Sequence, residues 1–189
     1  TRFDQYDLML EKPVPLVPRE RRLTLRERVD VQGEVLIPLD DADVFSLLPA
    51  LDDLDVQSVA IGFLHAYANP AHEQRLRELV AERYPHIPVS LSSEVLPEFR
   101  EYDRAITAVM NDYVRPIMVN YLSRIEARLQ DLGVTSRLHI VRSDGGLMSA
   151  AAASERPVHT VLSGPAVTNI EGSQLDEVVV TSTIPLRED

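Results

Sequence analysis

The sequence predicts an α/β protein with parallel strands, and three observations carry that prediction. Residues 58–66, SVAIGFLHA, form a near-continuous apolar run, the composition of a strand buried on both faces. A helical segment and a second short apolar run at 87–91 follow, and strand, helix, strand in that order is a βαβ unit, which implies a parallel sheet. Then comes one long helical pattern. From Phe99, apolar residues recur at Tyr102, Ile106, Val109, Tyr113, Ile117, Tyr121, Ile125, Leu129 and Leu132, in steps of three and four that place them on one face.

Each element has a local reason. Residues 1–12 are short and mixed, and Pro13, Pro15 and Pro18 then favour an extended connection. Residues 19–38 read as β structure, with Leu23, Leu25, Val29 and Val31 alternating with polar residues and a turn at Gln32-Gly33. Asp40 can cap a helix whose apolar stripe is Val44, Leu47, Leu48 and Leu51, bent or ended by Pro49, with DDLD at 52–55 as a loop. Asn69-Pro70 opens the crossover helix, with Asn as cap and Pro at the first helical position. That helix buries Leu76, Leu79 and Val80 and ends before Pro85.

The long helix is expected to turn the apolar stripe inward, its tyrosines included, and to leave Arg100, Glu101, Arg104, Asp112, Arg124 and Arg128 in solvent. Glu98 and Glu101 suit its positive end, and Gly133 is its stop. Pro116 has no N–H for the carbonyl of Asp112 and is expected to kink or split the helix. Beyond it, residues 138–141 read as a strand, 148–154 as a short helix, 158–162 as a further strand, and 178–184 as β-prone.

Composition narrows the function. A hydrophobic fraction of 44% in 189 residues supports a real core, and the formal net charge of −11, with no basic cluster, argues against nucleic acid and anionic membranes as partners. There is no cysteine, so disulfides and thiolate metal sites are excluded, in keeping with a cytoplasmic location. No apolar run approaches a membrane span, and the first twelve residues lack a signal-peptide pattern. The first residue is Thr, and the chain reads as an internal piece of a longer protein.

Three ordered blocks carry a resemblance. SLSSEVLPEFREYDRAITAVMNDYV, then VRSDGGLMS, then TVLSGPA are similar to the hydantoinase A/5-oxoprolinase family, over about residues 7–166. The resemblance implies a partial actin-like (ribonuclease H-like) ATPase fold and an ATP-dependent hydrolase of cyclic amides such as 5-oxoproline or a hydantoin, acting by phosphorylation of the ring carbonyl oxygen. It implies ATP and Mg²⁺ as cofactors, and a hydantoinase B-type subunit or domain as partner. Some relatives carboxylate ketones. On this reading residues 1–92 end the N-terminal domain, 93–166 begin the hydantoinase A core domain, and 167–189 are a divergent tail. Neither Asp-x-Gly-Gly-Thr phosphate loop of that family occurs here. The chain by itself is therefore expected neither to bind nucleotide tightly nor to hydrolyse it. The rival reading is a degenerate, non-catalytic fragment that serves as an interaction module.

Two short blocks are candidate ligand contacts. Ser143, Asp144, Gly145 and Gly146 follow a strand, and the glycines let backbone approach a ligand closely or simply make a tight turn with positive φ. Asp144 stands where family members often carry Asn, which removes the amide donors from that position. Ser163 and Gly164 could open a helix facing a nucleotide, or be an ordinary capped helix entry. Glu94, Glu98, Arg100 and Glu101 read as a solvated first turn rather than an acid/base pair. Of the histidines, His65 and His139 are assigned to strands and His72 and His86 to the surface; with His159 they show no metal-ligand spacing. No Gly-x-Ser-x-Gly nucleophile elbow occurs, and the catalytic residues remain unassigned.

Overall fold

A computed structural model describes residues 15–161 and the strand at 178–180. The hairpin of β1 (Arg28–Val29) and β2 (Val35–Ile37) comes first, and is shorter than the alternation from Leu23 implies. The Asp30 carboxylate builds its turn by accepting from the N–H groups of Gln32 (2.9 Å) and Glu34 (2.8 Å). Asn69 Nδ2 donates to the Gly33 carbonyl at 2.8 Å and docks the hairpin on the loop ahead of the crossover helix.

Helix α1 (Asp41–Leu47) is capped by Asp40, which accepts from Ala42 N–H at 2.9 Å. Pro49 ends it and opens α2 (Pro49–Asp53), so Asp52 and Asp53 are helical rather than loop. Strands β3 (Val59–Ile61) and β4 (Val89–Leu91) pair in parallel, Val59 opposite Val89 and Ile61 opposite Leu91. The crossover is α3 (Ala71–Arg83), whose first N–H is held by Asn69 Oδ1 at 3.1 Å. Leu76, Leu79 and Val80 face inward and close a core with Val44, Leu48 and Leu91. This is the predicted βαβ unit. His72 is buried, paired with Glu27 at 2.8 Å, not on the surface. His65 lies in a turn at φ +54, not in a strand.

Helix α4 (Ser92–Val95) follows β4 directly, and α5 (Glu101–Asp131) runs for 31 residues. Pro116 lies inside α5 without dividing it; the Asp112 carbonyl it leaves free receives the Ser58 hydroxyl in a long contact of 3.5 Å. Gly133, at φ +74, stops the helix, with Val134 N–H returning to the Leu129 carbonyl at 2.9 Å.

The orientation of α5 departs from the expectation. Tyr102 is 78% exposed, Tyr113 64% and Ile117 56%, and Phe99, Tyr121 and Leu132 are also exposed. The buried face is Arg104, Ala108, Asn111, Asp112, Met118 and Leu122. It keeps helical spacing but is rotated away from the stripe of large apolar residues. Its first half is polar and small because it meets strand ends and loops that carry backbone groups in need of partners. Its second half is apolar and joins Leu138, Ile140, Ala150 and Ala153 in a second core.

That second core rests on β5 (Leu138–Val141), with β6 (Leu147–Ser149) antiparallel on one edge and β7 (Val178–Val180) parallel on the other. Helix α6 (Ala150–Glu155) follows, capped by Ser149. The expected strand from 158 is instead a 3-10 turn, Pro157–Thr160. Both edges of β5 are occupied, and Pro157 lacks the N–H a ladder needs.

A buried carboxylate joins these parts. Glu73 is fully buried on α3 and accepts four hydrogen bonds: from Phe63 N–H (3.0 Å), the Ser92 hydroxyl (2.6 Å), Ser93 N–H (3.0 Å) and the Ser93 hydroxyl (2.6 Å). Arg104, also buried, donates to Ser92 Oγ (3.1 Å) and to the carbonyls of Glu98 and Phe63 (2.8 Å each). Glu73→Ala should therefore cost about 3–5 kcal/mol of unfolding free energy, the range for breaking a buried charged network. Glu94→Ala, which removes an exposed pair with Arg77, should cost about 1 kcal/mol or less. Urea unfolding of the two variants checks the contrast.

Candidate functional site

The candidate contact residues Ser143, Asp144, Gly145 and Gly146 make the turn between β5 and β6. Arg142 N–H donates to the Gly146 carbonyl at 2.8 Å, and Gly145 N–H to the Arg142 carbonyl at 3.0 Å. Asp144 Oδ1 accepts from Gly146 N–H at 3.0 Å, while Oδ2 pairs with the Arg142 guanidinium at 2.8 Å. Gly145 sits at φ +85, where a side chain is strained, and a Cβ there would meet nothing within 4 Å. Its glycine is thus required by the turn and not by crowding within the described residues.

Loops after β4 and β5 meet beside this turn. Ser143 N–H donates to the His159 carbonyl at 2.7 Å, and the His159 ring lies near the backbone of Val95 at the end of α4. Burial, and the positive charges of Arg142 and Arg156, hold the imidazole below its ordinary pKa; Asp144 and the Val95 contact oppose them. His159 is therefore neutral at pH 7. Spacing in the sequence could not single it out, since its neighbours in space come from Arg142, Asp144 and Val95.

A second polar cluster lies behind. Asn111, fully buried on α5, donates to Ser90 Oγ (3.0 Å) and to the Glu155 carbonyl (3.0 Å), and accepts from Val158 N–H (3.2 Å). Ser90 donates to Asp112 Oδ1 at 2.5 Å, and Asp112 Oδ2 is buried without a hydrogen-bond partner. Burial raises the Asp112 carboxyl to about 6, against the Ser90 hydrogen bond and the charge of Arg115.

Three backbone N–H groups of the 143–146 turn are not free to cradle a phosphate. A phosphate cradle needs backbone N–H groups pointing outward, and those of Ser143, Gly145 and Gly146 are all taken by acceptors of the protein itself. What the turn offers a ligand is a carboxylate half-neutralised by a guanidinium. Ser163 and Gly164 lie outside the described residues. Glu94, Glu98, Arg100 and Glu101 are exposed and form no acid/base pair with one another; Glu94 binds Arg77, and Arg100 binds Asp103. Among the described residues no helix is long and apolar enough to cross a membrane.

A βαβ unit, a long helix across it and a second small mixed sheet, with loops gathered at the strand ends, define part of an actin-like α/β ATPase fold. The hydantoinase/oxoprolinase N-terminal region matches residues 1–84, and the hydantoinase/oxoprolinase description matches residues 104–182. The chain belongs to the hydantoinase/oxoprolinase family. It is 36% identical over 162 residues to the caprolactamase subunit alpha of Pseudomonas jessenii, covering 86% of this chain and 23% of that subunit. The crystal structure of that ATP-dependent caprolactamase superposes with a TM-score of 0.78. The 5-oxoprolinase of Saccharomyces cerevisiae is 32% identical over 192 residues, covering 88% of this chain and 14% of that protein. A nucleotide-free acetone carboxylase structure superposes with a TM-score of 0.76 at 29% identity, covering 85% of this chain and 23% of that one. The chain thus spans about a quarter or less of the length of these relatives.

The Asp112 shift gives a prediction with a definite sign. Its folded pKa, about 6, lies above the ordinary 3.8, so the folded protein holds this proton more tightly than the unfolded chain does. The resulting stabilisation is present below pH 3.8 and is lost as pH rises towards 6. Asp112→Asn should therefore gain about 1–3 kcal/mol over the natural protein at pH 8 and little at pH 4. Denaturant midpoints at the two pH values test it.

Proposed function

We infer that this chain is framework and cleft wall of an ATP-dependent enzyme that opens cyclic amides, and that the turn at 143–146 contacts the amide substrate. The observation that carries the reading is the turn itself. The N–H groups of Ser143, Gly145 and Gly146 are taken by acceptors of the protein, while the Asp144 carboxylate and the Arg142 guanidinium remain partly exposed beside the neutral His159. A paired carboxylate and guanidinium present an acceptor and a donor together, which matches the N–H and C=O of a cyclic amide. The buried polar groups behind it, Glu73, Arg104 and Asn111, hold loops and are out of a ligand's reach. ATP and Mg²⁺, implied by the family, would be held by residues other than those described. A B-type subunit is the expected partner, by analogy with relatives whose names mark them as subunits.

The test uses the whole parent enzyme with its neighbouring sequence and partner. ATP consumption should depend on 5-oxoproline, a hydantoin or caprolactam. Asp144→Ala should raise KM for the amide by about tenfold or more, the loss of one charged hydrogen bond, with KM for ATP unchanged. Asp144→Asn, which keeps the acceptor for Gly146 N–H, should lie between. An unchanged amide KM in Asp144→Ala would reduce the turn to a structural one. The likeness to acetone carboxylase supports a second reading, carboxylation of a ketone. ATP use with acetone or acetophenone and bicarbonate, and none with amides, would select it.

A further inference from the structure

We propose that Asn111 is a positioning residue for the 143–146 turn, although it touches none of that turn. The route is short and made of hydrogen bonds. The Asn111 amide holds β4 through Ser90 Oγ and holds the end of α6 through the Glu155 carbonyl. Its Oδ1 fixes Val158 N–H in the 3-10 turn that follows. The next residue is His159, whose carbonyl receives Ser143 N–H at 2.7 Å. One fully buried side chain therefore sets the height of the 3-10 turn relative to β4, and the 3-10 turn sets the position of Ser143.

Asparagine suits this task because its side chain both donates twice and accepts without carrying charge. Aspartate there would lose both donors and set a second carboxylate beside Ser90, which already binds Asp112. Leucine would fill space and leave the Glu155 carbonyl, Ser90 Oγ and Val158 N–H without this partner. The tie differs in kind from the Glu73–Arg104 network. That network holds the loop after β3 and the start of α4, and its hydrogen bonds do not reach the segment at 155–159. The two can be perturbed separately.

Amide hydrogen exchange on the 189-residue chain tests the proposal without any assay of activity. In Asn111→Ala, exchange at Ser143 N–H should rise about tenfold or more, while Phe63 and Ser93 N–H, held by Glu73, keep their rates. An unchanged Ser143 rate, or an equal rise at all three amides, overturns it; the second outcome would make Asn111 a plain contributor to global stability. If Asn111→Ala does not fold, Asn111→Ser decides, since its hydroxyl adds no charge and cannot span all three partners. There Ser143 exchange should rise by about threefold or more with Phe63 unchanged, and no rise at Ser143 overturns the proposal.

The catalytic consequence rests on the function proposed above and is read separately in the parent enzyme. Asn111→Ala should raise KM for the amide more than it lowers kcat. Combined with Asp144→Ala it should add little further, because both act through one turn. Full additivity of the two effects counts against the proposal. If Asp144→Ala alone leaves the amide KM untouched, the substrate reading fails while the exchange rates still judge Asn111.

Discussion

The fold depends on a charge that has been taken out of water. Glu73 is fully buried, and an isolated carboxylate there would cost several kcal/mol. It is tolerated because four donors converge on it from Phe63, Ser92 and Ser93, and because Arg104 binds Ser92 from the other side. The Phe63 peptide is gripped at both ends: Glu73 takes its N–H and Arg104 its carbonyl. Tyr67 adds its ring face, 5.6 Å from the guanidinium carbon. Four stretches distant in sequence thus share one set of hydrogen bonds: the loop after β3, α3, the start of α4 and the start of α5.

This explains why α5 meets the βαβ unit with a polar face. A helix laid across strand ends encounters carbonyls and N–H groups that no ladder satisfies. Arg104, Asn111 and Arg115 supply partners for Phe63, Glu98, Glu155, Val158 and Val89, and Ala108 lets the backbone come close. Further along, where α5 leaves the strand ends and lies on β5 and α6, the same face becomes Met118 and Leu122. One helix therefore joins a core at each end by two different kinds of contact. Asp112 marks the junction: its carbonyl is freed by Pro116, and its carboxyl is buried with one oxygen unpartnered.

The candidate site follows the same economy. The N–H groups of Ser143, Gly145 and Gly146 are taken, so the turn presents chiefly the side chains of Asp144 and Arg142, and its position comes from His159 on a neighbouring segment. The geometry separates the roles of the two kinds of residue. Buried groups fix where loops stand, and the half-exposed Arg142–Asp144 pair faces outward.

Much of this was legible in the residues. The apolar runs at 58–66 and 87–91 with a capped helix between them required a parallel pair, because local pattern and connection length agree. The stops at Pro49 and Gly133 and the turn at Gly145 follow from local backbone chemistry, whereas at Pro116 the packing of α5 keeps the helix whole. The family blocks fixed the fold class. Tertiary structure alone decided which face of α5 is inside. Periodicity tells which residues share a face and nothing of what that face meets, and here it meets backbone groups in need of donors, so Arg104 and Asn111 are buried while Tyr102 and Tyr113 are not. It also decided that 157–160 is a 3-10 turn, since β5 had no free edge, and that His159 stands beside Ser143. Long-range hydrogen bonds of this kind leave no spacing in the chain for a reader to find.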